Sequence, residues 1–125
     1  MLVAHFFWPY LFIKMEQIDK KNHYNSLIVI YGKCLSRKAC DDLCDYYSRD
    51  LSLAEIAEKR GVSRNAIFMS LHSGEKELDQ LEEKIGFLKH LQKEISYLEK
   101  MKEIKDISQI EKQIEKMRKD LYYDV

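Results

Sequence analysis

Apolar positions fall at three- and four-residue steps from Asn22 onward. Tyr24, Leu27, Ile28, Tyr31 and Leu35 line up as one stripe, which predicts a first amphipathic helix. Ser36 is placed to cap the next helix, whose predicted inward positions are Cys40, Leu43, Cys44 and Tyr47, and the polar run Ser48-Arg49-Asp50 ends it. In Ser52-Leu53-Ala54-Glu55 a serine at the cap and a glutamate three positions later can satisfy each other's backbone donors, so a third helix starts there and runs from Leu53 to Arg60. Gly61 is suited to the left-handed conformation that closes it. Val62 is expected to plug the turn, Ser63 to cap the next helix, and Ala66, Ile67 and Leu71 to face inward. Compact Ile56 and Ala57 at a close helix crossing, a glycine at the turn and apolar side chains in the angle together predict a helix-turn-helix.

The pattern changes at Glu75. Leu78, Leu81, Ile85 and Leu88 follow the alternating three-four spacing of a helix seam, and Leu91, Ile95 and Leu98 resume it after a three-residue slip. One long helix is therefore expected to continue the second helix of the motif. The pattern breaks around Lys105-Asp106-Ile107, where Ser108 and Glu111 offer a second capping box. Ile110, Ile114, Met117 and Leu121 then predict an antiparallel return helix. A leucine and isoleucine stripe of this length needs cover from the return helix, a second subunit or another protein, and a homodimer is the simplest cover. A single Pro and four Gly among 125 residues, with 34% charged residues, agree with an all-α fold. The expected architecture is a helix-turn-helix bundle with a long C-terminal helix and a short return helix.

Residues 1–14 differ from the rest, with Phe6, Phe7, Trp8, Tyr10 and Phe12 and one charge. Leu2 to Ile13 is too short for a membrane span and contains His5 and Pro9. The segment also lacks the basic lead and small-residue cleavage site of a secretory signal. The expectation is a start at Met15, with residues 1–14 a non-native or disordered extension. A surface-docked or membrane-touching tail is the other reading. The expected organisation is thus an extension over 1–14, a helix-turn-helix domain over 15–74 and a charged helical dimerisation segment over 75–125.

The stretch from Asp50 to Phe68, DLSLAEIAEKRGVSRNAIF, resembles the helix-turn-helix of the YlxM-like family of small bacterial proteins. It is also similar, less specifically, to the promoter-reading region four of sigma factors. Asn25, Leu27, Tyr31, Leu35, Lys38 and the Tyr46-Tyr47 pair extend the likeness upstream and Glu75-Lys76 extend it downstream, so that it covers about residues 24 to 90. The resemblance implies an all-helical, dimeric DNA-binding protein that assists or regulates the signal recognition particle pathway, with components of that particle as partners.

In a helix-turn-helix the second helix presents its N-terminal outward residues to base edges, here Arg64, Asn65, Phe68, Met69 and His72. Arg64 suits guanine or phosphate, Asn65 suits adenine, and Ser63 with the helix N-terminus suits a phosphate oxygen. The family pattern continues with basic residues after the aromatic position, whereas this chain has His72, Ser73 and Gly74. Lys plus Arg and Asp plus Glu number 21 each over the whole chain. Residues 15–74 hold nine basic and eight acidic residues, and residues 75–125 hold eleven and thirteen. A footprint of three or four phosphates gives log affinity a slope of only about −3 against log salt. On so neutral a face Phe68 and Met69 serve protein docking as well as DNA contact. A third reading has Phe68 simply packed against the first helix.

Enzyme chemistry has no carrier here. There is no Gly-rich phosphate loop, HExxH or GxSxG, and His5, His23, His72 and His90 lie on separate elements. Cys34, Cys40 and Cys44 are an odd set without paired CxxC elements, which argues against a disulfide framework or a closed zinc site and for a reducing cytoplasm. No cofactor, metal site or membrane span is expected.

Overall fold

The computed structural model describes residues 19–123, so the expectations for residues 1–14 and for the start at Met15 lie outside them. The described residues are helical with no strand. Residues 19–31 form α1, followed by a 3-10 turn over Gly32–Cys34, α2 over Arg37–Leu43 and a π-turn over Cys44–Ser48. Then come α3 (Leu53–Arg60), α4 (Arg64–Ile85), α5 (Phe87–Lys102) and α6 (Ile107–Arg118), with a last π-turn over Lys119–Tyr123. One compact unit ends at Lys84 and a second begins at Ile85.

The stripe predicted for α1 is the core of the first unit. Tyr24, Leu27, Ile28, Tyr31 and Leu35 are all buried, against Leu43, Tyr47, Ile56, Ile67, Leu71 and Leu78. Removing each such side chain from water contributes about 1.5–3 kcal/mol before ordering entropy is charged against it. The Ser36 hydroxyl caps α2 by accepting from the Ala39 amide at 3.2 Å. The inward face of α2 differs from expectation. Leu43 and Tyr47 are buried, but Cys40 and Cys44 are only half-buried, and the residues enclosed beside them are Asp42 and Asp45.

The helix-turn-helix forms as its spacing predicts. Ser52 and Glu55 make a reciprocal capping box at the start of α3, with bonds of 2.8 and 3.1 Å. At the other end Gly61 is left-handed at φ 66°, and the amides of Gly61 and Val62 bond back to the carbonyls of Glu58 and Ala57. Val62 does not plug the turn: the residue is 41% exposed, and its backbone amide makes the connection. Ala66 is exposed rather than inward, because Ile67 and Leu71 take the buried arc one residue round from it. Farther along α4, Gly74 is buried where a Cβ would stand 2.8 Å from Leu43 Cδ1, so a side chain there would have to displace that of Leu43 in the core.

Polar bonds set the rotation of α4 against that core. The hydroxyls of Tyr24, Tyr31 and Tyr47 donate to Asp79, Glu82 and Glu75, the first two at 2.8 Å. At the end of α2, the Asp42 carboxylate is fully enclosed. One oxygen accepts from Ser70 Oγ on α4 at 2.8 Å, and Arg60 of α3 stands 3.3 Å from the other without the alignment of a hydrogen bond. Asp45, 1% exposed, accepts from Lys59 of α3 at 2.8 Å and from Arg49 at 2.5 Å. Burial raises the Asp45 carboxyl, but the bonds and charges of Lys59 and Arg49 outweigh it and hold it below the ordinary carboxylate range.

In the second unit the long helix expected to run on from the motif is interrupted at Gly86, which is left-handed at φ 69°. α6 returns beside α5: Tyr97 donates to Asp120 at 2.8 Å, and the rings of His90 and Tyr122 meet edge to face at 5.5 Å. The predicted box of Ser108 and Glu111 is absent. Asp106 caps α6 instead, accepting from the Ser108 amide at 3.0 Å, because the helix begins one residue earlier, at Ile107.

Two stability measurements test this packing. Gly→Ala inside a helix ordinarily stabilises by about 1 kcal/mol, but Gly74→Ala should destabilise by about 1–2 kcal/mol in urea unfolding, because buried Leu43 has nowhere to move. Asp45→Asn should cost about 1–3 kcal/mol at neutral pH. Because the folded carboxyl lies below its unfolded value, the stability it contributes is present above about pH 4 and is lost as the pH falls through the folded value. The urea midpoint of the native chain should fall across that acid range more steeply than that of Asp45→Asn.

Candidate nucleic-acid interface

The interface is built on the first turns of α4. Ser63 Oγ accepts from the Ala66 amide at 3.0 Å and so fixes where the helix begins. No acidic residue lies in the first turn, which leaves the positive end of the helix dipole uncompensated by side chains. Ser63, Arg64 and Asn65 are exposed, as are Phe68 and Met69 at 45% and 60%, and His72. Steps of one, four, five and eight from Arg64 bring Asn65, Phe68, Met69 and His72 to one face. The structure therefore brings all six predicted residues together. The Phe68 ring stands edge to face with His72 at 4.6 Å, and His72 Nδ1 lies 3.4 Å from a Glu75 oxygen. The other Glu75 oxygen accepts the Tyr47 hydroxyl, whose ionisation is pushed up first by burial and then by that bond. A chain of contacts thus ties the exposed face to the core.

Leu53 is the residue that sequence reasoning left out. It stands on α3, outside the α4 period that picks out the other residues of the face, and it is half-buried and lines a shallow depression of about 470 Å³ with Arg64, Asn65 and Phe68. A smaller cleft of about 120 Å³ runs from Leu53 and Phe68 toward Tyr46 and Lys20. An apolar floor with a guanidinium and an amide at its edge suits a thymine methyl beside polar base edges, or an apolar side chain of a protein.

Most of the nearby cations are already matched. Lys20 lies 3.9 Å from Glu75, Lys21 contacts Asp50, Arg49 and Lys59 hold Asp45, and Arg60 faces Asp42. Arg64 has no ion-pair partner among the described residues. The Cys44 thiol is raised by burial and by neighbouring Cys40, which keeps it protonated. Among the described residues no helix is long and apolar enough to cross a membrane.

Residues 18–120 match the model of a family described as "Putative helix-turn-helix protein, YlxM / p13 like". A relative from Malacoplasma penetrans is 39% identical over 103 residues, which is 81% of this chain and 91% of the relative. A relative from Acetivibrio thermocellus is 36% identical over 91 residues, covering 72% and 78% of the two chains. The YlxM protein of Bacillus subtilis is 35% identical over 97 residues, covering 78% and 88%. This is a helix-turn-helix family rather than a known enzyme family. With the matched region spanning every helix described above, the chain belongs to the YlxM/p13-like helix-turn-helix family, UPF0122.

Proposed function

We propose that this protein is a non-enzymatic cytoplasmic regulator or accessory of the signal recognition particle pathway that binds duplex DNA through the N-terminal face of α4. The observation that carries this reading is the exposed pair Arg64 and Asn65 in the first turn of a 22-residue helix, with the Ser63 hydroxyl at its start. Arg64 reaches guanine or phosphate, Asn65 reaches adenine, and Phe68 and Met69 meet thymine methyls. His72, two turns along, stands at the edge of this footprint. With a single unpaired guanidinium on the face, binding is modest and weakens with salt. The link to the signal recognition particle rests on likeness to the family.

A second reading is favoured by the matched cations: the same face docks a protein, with Phe68 and Met69 as anchors and little DNA affinity. In either reading the hairpin over α5 and α6 pairs two copies through its apolar stripe, where Ile95 and Leu98 remain half-exposed.

Retention on duplex DNA at low salt separates the readings. Arg64→Ala with Asn65→Ala should weaken binding by at least about tenfold, since each base contact is worth about 1–3 kcal/mol, while Phe68→Ala with Met69→Ala should leave protein pull-down intact. Loss of pull-down by signal recognition particle components in the second pair, with no DNA retained by the native chain, would replace the first reading by the second. Sedimentation should give a dimer at micromolar concentration and a monomer for Ile95→Glu with Leu98→Glu. A native chain that is monomeric throughout would mean that the stripe closes within one molecule.

A further inference from the structure

The division at Lys84 redistributes the charge of the C-terminal half. Residues 75–84 carry two basic and five acidic residues, and three of those acids accept the tyrosine hydroxyls of the core. Residues 85–125 carry nine basic residues and eight acidic ones, arranged unevenly around the two helices. On α5, Lys89, Lys93 and Lys100 fall within roughly 40° of one another at 100° per residue, on the side opposite Leu91, Ile95 and Leu98. On α6, Lys112, Lys116 and Lys119 fall within about 60°, opposite Ile110, Ile114 and Leu121. All six are exposed. Lys89 and Lys93 line a cleft with Asp120 and Leu121, and Asp120 continues the four-residue steps of Lys112 and Lys116, so both stripes border the same side of the hairpin.

We infer that this lysine face is a second, sequence-independent contact for the phosphate backbone of duplex DNA, an inference that rests on the DNA-binding reading above. Three observations carry it. First, five of the six, Lys93, Lys100, Lys112, Lys116 and Lys119, form no salt bridge with any described residue, whereas Lys20, Arg49, Lys59 and Arg60 beside the helix-turn-helix face carboxylates. Second, the six residues are lysines with no arginine fork among them, and Lys100 meets a ring, standing 5.6 Å from the centre of Tyr97. They are point charges suited to phosphate and not to base edges. Third, they lie diametrically opposite the apolar stripe, so cover of that stripe by a second copy leaves them outward.

Fluorescence anisotropy of the full-length chain with a short mixed-sequence DNA duplex, titrated between about 50 and 200 mM salt, tests this inference. Lys89→Gln, Lys93→Gln and Lys100→Gln together should remove about three phosphate contacts. The affinity lost across that fourfold salt range should then be roughly 40-fold less than for the native chain. Lys112→Gln, Lys116→Gln and Lys119→Gln should act likewise. Both losses should be the same for unrelated sequences. A body triple with the same charge change, Lys33→Gln, Arg37→Gln and Lys38→Gln, should leave the salt dependence as it was. The inference is overturned if the hairpin triples bind like the native chain while Arg64→Ala weakens binding, an outcome that leaves the DNA-binding reading standing. Failure of the native chain to bind any duplex at the low-salt end removes both. An equal effect of the body triple reduces the result to net charge, and an effect confined to an RNA duplex assigns the face to another ligand.

Discussion

Two carboxylates that the fold encloses at the end of α2 hold the helix-turn-helix together. Asp42 reaches Arg60 on α3 and Ser70 on α4, and Asp45 takes Lys59 and Arg49. A charge removed from water is tolerated only where its partners are in place, so these pairs leave little freedom in how α2, α3 and α4 meet. The apolar contacts of Ile56, Ile67 and Leu71 supply the larger favourable energy, but they are non-directional. Direction comes from the aspartates below and from the three tyrosine hydroxyls that fix the rotation of α4 farther along.

That arrangement bears on what the exposed face can do. Cations that a DNA-binding surface would turn toward phosphate are engaged here in holding Asp42 and Asp45. Arg64 remains as the outward charge, beside an apolar floor provided by Leu53 and Phe68. A face with one guanidinium, one amide and an apolar floor is chemically better suited to base edges or an apolar side chain than to a run of phosphates. The two units accordingly differ in electrostatic character. In the first, Arg49, Lys59 and Arg60 are held by buried carboxylates, and in the second six exposed lysines lie opposite Leu91, Ile95, Leu98, Ile110, Ile114 and Leu121.

Much of the fold was legible in the chain because its signals are local. The stripe from Tyr24 to Leu35, the box of Ser52 and Glu55, the glycine at 61 and the cap at Ser63 act within one or two helical turns, and each appears where its spacing placed it. The candidate face was legible for the same reason, since five of its six residues follow from the period of one helix. Val62, Ala66 and the Ser108 box were misread because each sits at a helix boundary. There a shift of one residue, or a turn closed by backbone bonds, changes which side chain is turned inward.

The sequence by itself determined the helices, the helix-turn-helix corner, the amphipathic tail and the overall charge balance, all of which depend on periodicity and on neighbours within a few residues. Only the tertiary structure decided that two aspartates would be core residues and two cysteines would not. It alone assigned Glu75, Asp79 and Glu82 to tyrosines, and ended the first unit at Lys84, leaving a lysine-faced hairpin beyond. An ionisable side chain looks solvated in any local pattern, and its burial is settled by which distant partners the packed helices bring within hydrogen-bonding reach.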